Sequence, residues 1–217
     1  MQPLKYVWLL LTLQFFQSIT ADAQEPDSKT YSITLCADIP DNSNARKVFH
    51  NSEPGHVFII LEERDIVSGD QKSLVWGFYP RRPVSAILFR SAKSKLVDNS
   101  NREYDASVCK SLTKEQFIVA MKNAYEFTQR KYHLNKYNCY DYAVEVFNSV
   151  PGTPAIPLTH IKFPFVFGRG GSPCALYRDL EKLQPANNPD QFIISLHPEK
   201  APISYNNREQ TLAKSKH

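Results

Sequence analysis

The chain has 217 residues, a formal net charge of +4 at pH 7 and a sequence pI near 8.8. This length fits one domain with a substantial core, so a single domain is expected. The Lys and Arg residues are scattered and are not interleaved with aromatic residues, which argues against a nucleic-acid partner.

The first residues have the pattern of a cleavable secretory signal peptide. Lys5 supplies a positive charge, Tyr6 to Phe16 form a short apolar stretch, and Ala21-Asp22-Ala23 resembles a small-residue cleavage site. About eleven apolar positions cannot span roughly 30 Å of bilayer hydrocarbon, which needs about 20 residues. We therefore expect residues 1–23 to be a signal peptide, with export to the periplasm or the extracellular space. No integral membrane segment is expected after cleavage.

The next part of the chain is predicted to form strands. Residues 29–37 alternate between apolar and polar, as in a half-buried strand. Residues 38–54 are rich in Pro, Asn and Asp and indicate a long loop. Residues 56–61 and 73–79 are apolar runs of strand length joined by a charged connection containing Ser68-Gly69-Asp70, which predicts an antiparallel hairpin. Further strands are expected at residues 84–89, 93–97 and 104–109.

The chain then changes to a helical period. A capping box formed by Thr113 and Gln116 opens a helix predicted over residues 113–131. Asn138 is the expected N-cap of a second helix, which stops before Pro151. A segment over residues 151–171, rich in Pro and Gly, is expected to pack as a loop over the core.

A third helix is predicted from Ser172 to about Leu183, with Pro173 at its first position. We expect one domain over residues 24–195. A flexible C-terminal tail is expected over residues 196–217.

Cys139 follows the expected N-cap and so lies in the first turn of the second helix. Unpaired backbone N–H groups and the positive end of the helix dipole stabilise a thiolate there, and the thiolate is the nucleophilic form. A nucleophilic cysteine also needs a base. His56 is the candidate base because it opens the most apolar predicted strand, at a sheet end where a helix start can be brought against it.

Both residues also have simpler structural explanations. A cysteine at a helix start is more often a small buried residue or half of a disulfide, and a lone histidine at a strand end is more often a partly exposed polar residue. Cys174 is a rival nucleophile because it too lies in the first turn of a predicted helix. The Gly-rich segment before it, residues 168–171, is a weak signal for anion binding because no Lys-Ser/Thr pair follows.

Four cysteines follow the predicted cleavage site, namely Cys36, Cys109, Cys139 and Cys174. In an oxidising compartment the default expectation is two disulfides, with three possible pairings. If Cys139 is free, at most one disulfide can form among the other three. No pair has Cys-x-x-Cys spacing and the histidines are isolated, so neither a metal site nor a cofactor is expected.

Three short motifs resemble a known family: Gly55-His56-Val57-Phe58-Ile59, Trp76-Gly77-Phe78-Tyr79-Pro80 and Tyr137-Asn138-Cys139-Tyr140-Asp141-Tyr142-Ala143. They are similar to the papain-like NlpC superfamily in its circularly permuted order, with the His strand before the Cys helix. The likeness covers about residues 31–150. It implies an α+β fold in which a small antiparallel sheet packs against the Cys-bearing helix. It also implies that Cys139 attacks an amide or ester carbonyl, with His56 as its base.

The resemblance further implies a third polar group that orients the imidazole from the neighbouring strand. If the hairpin pairs symmetrically about Arg64 and Gln71, Tyr79 falls opposite His56 and is the candidate for this third catalytic residue, although such families commonly have His, Asn or Gln there. Tyr79 is equally explained as an aromatic residue of the sheet. Asn138 and the backbone N–H of Cys139 would stabilise an oxyanion if the carbonyl docks at the helix start. Asn138 is equally explained as a plain helix cap.

Export and the resemblance together predict a cysteine amidase or peptidase that acts on a peptide or cell-wall polymer through a thioester intermediate. One alternative is acyltransferase or thioesterase chemistry on a lipid by the same pair of residues. Another is a non-catalytic exported binding domain in which Cys139 forms a disulfide. The sequence does not identify a protein partner.

Overall fold

The computed structural model describes residues 28–50, 53–84, 86, 91–151, 155–163, 168–186 and 192–205. Over these residues the chain is α+β, as predicted, with three helices and a six-stranded antiparallel sheet. The predicted signal peptide lies outside the described residues. So does most of the strand predicted at 84–89, of which only Val84 and Ala86 are described, both with helical backbone.

The described strands are β1 (Lys29–Asp38), β2 (His56–Asp65), β3 (Gln71–Pro80), β4 (Ser91–Ala92), β5 (Ser94–Asp98), β6 (Glu103–Tyr104), β7 (Ala106–Leu112), β8 (Tyr132–His133), β9 (His160–Lys162), β10 (Arg169–Gly171), β11 (Ile193–Ser195) and β12 (Glu199–Lys200). The described helices are α1 (Lys114–Glu126), α2 (Cys139–Asn148) and α3 (Pro173–Leu183), with 3-10 turns at Phe127–Gln129 and Gln184–Ala186. The large sheet has the spatial order β11-β7-β1-β2-β3-β5, and the other described strands pair as β4-β8, β9-β10 and β6-β12.

The hairpin of β2 and β3 has the predicted register. Arg64 lies opposite Gln71 and Phe58 lies opposite Gly77. β2 is buried at every position from His56 to Leu61 because the helices cover one face of the sheet and a small apolar cluster covers the other. Burial on both faces explains why this strand is continuously apolar instead of alternating.

α1 begins after Thr113, whose hydroxyl accepts the backbone N–H of Gln116 in the predicted capping box. The α-helical part ends at Glu126, and the 3-10 turn continues to Gln129, so the helix is shorter than the predicted 113–131. Within the described part of the chain, no helix has both the length and the apolar character to cross a bilayer.

α2 packs against β2 and β3 and carries several of the largest buried side chains. The ring of Tyr142 stacks on Phe78 with centroids 4.8 Å apart, and its hydroxyl donates to the carbonyl oxygen of Ala124 in α1 at 2.7 Å. A buried aromatic ring with a satisfied hydroxyl anchors the helix firmly. The start of α2 is therefore held against the end of the sheet that carries His56.

Residues 199–204, predicted to belong to a flexible tail, pack against the sheet instead. β12 pairs with β6, and Ala201 and Ser204 are buried. The Ser204 hydroxyl donates to Asp98 at 2.9 Å and accepts the N–H of Val75 at 3.1 Å. Burial against a distant strand orders this segment, and local composition does not reveal such burial. Residues 199–204 therefore have fixed contacts with β3, β5 and β6, whereas residues 206–217 lie outside the described part.

Candidate active site

Cys139 is the first residue of α2, and the helix cap determines how it is held. The Oδ1 atom of Asn138 accepts the backbone N–H of Tyr140 at 2.8 Å. The Asn138 side-chain amide donates to two backbone carbonyls, those of Leu134 at 3.0 Å and Gly171 at 2.9 Å. Asn138 is thus the N-cap, and its side-chain donors are already engaged. The oxyanion donor available here is the backbone N–H of Cys139, since first-turn N–H groups have no partner within the helix.

Asp141 ties this helix start to the β9–β10 ribbon. Its Oδ2 atom accepts the backbone N–H of Asn138 at 2.9 Å, and its Oδ1 atom contacts Nε2 of His160 at 2.6 Å. Asp141 is buried, whereas the His160 side chain is about one-third exposed. These contacts fix the orientation of the turn that presents Cys139.

The Cys139 thiol is partly buried and lies beside the backbone N–H groups of Val57 and Tyr140. Burial raises the pKa of this thiol to about 11. The two N–H groups and the Arg102 guanidinium lower the pKa, but their effect is smaller than that of burial. The nearby Asp141 carboxylate raises the pKa further. The sequence predicts a stabilised thiolate here, but loss of hydration reverses the sign of the shift. At neutral pH the resting group is therefore the thiol.

His56 is the first residue of β2 and is only 4% exposed. Its ring stacks on that of Tyr79, with centroids 4.3 Å apart and 27° between the planes. Burial lowers the pKa of His56 well below 6.5, and the positive charge of Arg102 acts in the same direction, so the imidazole is neutral at neutral pH. Its Nε2 atom is buried and has no hydrogen-bond partner among the described residues. A buried polar nitrogen without a protein partner is costly, so its presence at this position requires an explanation.

Asn99 is the polar side chain that faces this nitrogen. A Cβ atom placed on Gly77 would lie 2.5 Å from both His56 Nε2 and Asn99 Nδ2. Both nitrogens lie 2.5 Å from the same point, so His56 Nε2 and Asn99 Nδ2 are at most 5 Å apart. Gly77 has no side chain to fill the space between them. Asn99 follows β5 and is 6% exposed, and its backbone N–H donates to the carbonyl of Val75 at 2.9 Å. A glycine within a strand permits this close approach.

Tyr79 contacts His56 through its ring, and its hydroxyl points to other groups. The hydroxyl donates to Asn99 Oδ1 at 2.8 Å and accepts from Arg102 at 3.5 Å. Arg102 also donates to the Asp38 carboxylate through two nitrogens, at 2.6 and 2.9 Å. Burial raises the pKa of Tyr79 to about 12, so the hydroxyl remains a donor. Tyr79 therefore holds the imidazole by stacking and holds Asn99 by a hydrogen bond.

The structure describes all four cysteines, and all four thiols are free. Neither the two expected disulfides nor a disulfide of Cys139 is present. Cys174, the rival nucleophile, is buried and donates to the carbonyl oxygen of Lys47 at 3.5 Å. Burial raises its pKa to about 11. A carbonyl oxygen does not take up the thiol proton, so this contact does not supply the base that a nucleophile needs.

Asn99, Arg102 and Asp38 are site residues that the sequence patterns do not single out. Asn99 lies in a polar turn of ordinary composition, and Arg102 and Asp38 lie outside the three motifs. One signal is present, because Gly77 interrupts an apolar strand and so indicates a close approach at that point.

A scan against protein-family models and searches of curated proteins and of solved structures found no match to this chain. The functional assignment therefore depends on the geometry of the site and on the chemistry of its residues.

Proposed function

We propose that the chain is a cysteine hydrolase of the amidase or peptidase type, with Cys139 as nucleophile and His56 as base. The observation that carries the proposal is the meeting of a helix start and a strand start. The Cys139 thiol lies beside the backbone N–H of Val57, the residue after His56. A nucleophile and a base delivered by two rigid elements are the minimum that covalent acyl transfer requires.

The protonation states define the first step. Both groups are neutral at rest, so the Cys139 proton passes to His56 as the sulfur attacks the substrate carbonyl. The backbone N–H of Cys139 stabilises the oxyanion of the tetrahedral intermediate. His56 then returns the proton to the departing amine, leaving a thioester on Cys139. Water, deprotonated by His56, hydrolyses the thioester and restores the thiol.

Asn99 takes the positioning role that the sequence assigns to Tyr79. It faces His56 Nε2 across Gly77, and the Tyr79 hydroxyl holds its Oδ1 atom. The amide lies beside this nitrogen without a hydrogen bond to it, so a small shift of the Asn99 side chain or of the imidazole would let the two groups bond and orient the ring. Arg102 favours the thiolate over the thiol at Cys139 and the neutral form of His56. The guanidinium thus helps the negative charge to develop on sulfur.

The fold and the substrate follow from the same proposal. A His-bearing strand that precedes a Cys-bearing helix packed on an antiparallel sheet supports a papain-like fold in the permuted order of the NlpC superfamily. The signal-like first residues support an extracytoplasmic substrate, and cell-wall peptide is the substrate we propose.

Digestion of purified peptidoglycan tests the proposal. The wild-type chain should release new amino groups, whereas Cys139→Ser and His56→Ala should release none. Cys174→Ser is the matched control, because it removes a buried thiol at another helix start and should retain activity. Turnover of phospholipid without any release of amino groups would replace the amidase with the lipid-directed alternative. Inactivity on both substrates would contradict the hydrolase itself.

A further inference from the structure

A basic groove lies between β5 and the 3-10 turn at Phe127–Gln129. It encloses about 580 Å³, and five of the ten described residues that line it are Arg or Lys, with no acidic residue among the ten. The five are Arg81, Lys93, Lys95, Arg130 and Lys131. A cleft lined by one sign of charge concentrates the field and attracts ligands of the opposite sign.

The three lysines keep their charge available to a ligand. Lys93, Lys95 and Lys131 are exposed, and none forms an ion pair with another described residue. By contrast, Arg130 pairs with Glu145 at 2.6 Å, and Arg81 donates through Nε to the carbonyl of Ser94 at 3.1 Å. Glu145 thus compensates the charge of Arg130, while Arg81 and the three lysines have no carboxylate partner among the described residues.

The basic groove adjoins a second cavity, which borders the residues around His56. A second cavity of about 660 Å³ shares Lys95 with the first and is lined by Tyr79, Asn99 and Arg102, with Asp98 as the one acidic residue among its described lining. Lys95 lies directly opposite Tyr79 in the β3–β5 pairing, so both side chains are on the same face of the sheet. A chain lying in the basic groove would therefore reach the residues that hold His56.

We propose that the basic groove binds an extended acidic peptide and directs it to Cys139 and His56. This inference rests on the proposed hydrolase function and names its substrate class. Lys93 lies at the break between β4 and β5, Lys95 lies two residues later within β5, and both line the groove. Alternate residues of an extended chain are about 7 Å apart, so carboxylates at every second position of a bound peptide match this spacing.

The lining favours a peptide over single-stranded nucleic acid. Sequence-tolerant binding of nucleic acid depends on aromatic side chains that stack on successive bases. Among the described residues around the basic groove, Tyr125 is the only aromatic one. An acidic peptide whose carboxylates pair with lysines does not need aromatic side chains for stacking.

Fluorescence anisotropy of a labelled peptide of alternating Glu and Ser tests the proposal. The full chain carries Cys139→Ser so that the peptide is not consumed, and the reference peptide has Gln in place of Glu. We expect the acidic peptide to bind about tenfold more tightly, because several weak surface pairs act together. Lys93→Glu with Lys95→Glu should weaken its binding about tenfold, since each reversal replaces an attraction by a repulsion. Lys162→Glu with Lys200→Glu is the control of equal charge change at exposed positions outside the groove, and should leave binding unaltered.

Equal affinity for the two peptides, or equal loss in the control, would overturn the proposal. Tighter binding of a single-stranded oligonucleotide of the same charge, weakened by the same two substitutions, would assign the groove to nucleic acid and overturn it as well. The experiment distinguishes failure of the binding proposal from failure of the hydrolase proposal. Selective binding by a chain that hydrolyses nothing contradicts only the enzyme, whereas hydrolysis by wild type without selective binding contradicts only the groove.

Discussion

Replacing Gly77 by Ala tests whether the approach of Asn99 to His56 matters. The added Cβ would lie 2.5 Å from His56 Nε2 and from Asn99 Nδ2, and 2.7 Å from Tyr79 Cε2. Ordinary contact begins at 3.4 Å, so the closest groups must move by about 0.9 Å. Overpacking of this kind costs about 1–3 kcal/mol. The reduced entropy of the unfolded chain offsets about 0.4–1 kcal/mol of that. We expect the free energy of unfolding to fall by about 1–2 kcal/mol.

The effect on activity should be larger than the effect on stability. Misplacing a catalytic group by about 1 Å lowers the rate about a hundredfold. The assay is kcat/KM for release of amino groups, with urea unfolding measured on the same samples. Gly69→Ala is the matched control, because its Cβ would meet nothing within 4 Å while its φ of +75° adds backbone strain. That strain costs about 1–2 kcal/mol. If Gly77→Ala has the kcat/KM of the wild type, the positioning role of Asn99 is refuted. If Gly69→Ala loses as much activity as Gly77→Ala, the loss is due to lower stability.

Three other expectations follow from the same contacts. Alkylation of Cys139 by iodoacetamide should accelerate about tenfold per pH unit toward a pKa of about 11, and a plateau near pH 8 would contradict the buried thiol. The folded-state pKa of His56 lies below its usual 6.5, so the unfolded chain takes up the proton first and the free energy of unfolding falls as the pH drops below 6.5. His56→Gln should flatten that slope in urea titrations, and an unchanged slope would assign it to other groups. Tyr142→Phe should lower the free energy of unfolding by about 1 kcal/mol, because the Ala124 carbonyl loses its donor, and a neutral result would show that the bond contributes nothing net.

A protonated Cys139 is consistent with the proposed export of the protein. The thiolate is the form that oxidants attack, so a raised pKa slows conversion to the sulfenic acid. Under the proposed mechanism, the same shift requires His56 to remove the proton during attack on the carbonyl.

The local sequence was sufficient to predict the elements that carry Cys139 and His56. Two apolar runs on either side of a charged turn determine the register of β2 and β3. A shift of one strand by one residue would turn its polar side chains toward the core. The Thr113, Asn138 and Ser172 caps determine where the helices begin, since each satisfies backbone N–H groups within three residues. These interactions span only a few residues, and so a pattern in the sequence reveals them.

Only the tertiary structure shows which residues surround His56 and whether Cys139 is protonated. Asn99 reaches His56 only because β5 pairs with β3 and Gly77 leaves room between them. Ser204 is ordered only because it meets Val75 and Asp98 across the sheet. The pKa of Cys139 depends on its burial against β2, which outweighs the helix start that predicts the opposite shift. Such effects arise between segments far apart in the chain, and hydration lost on packing has no counterpart in the local pattern.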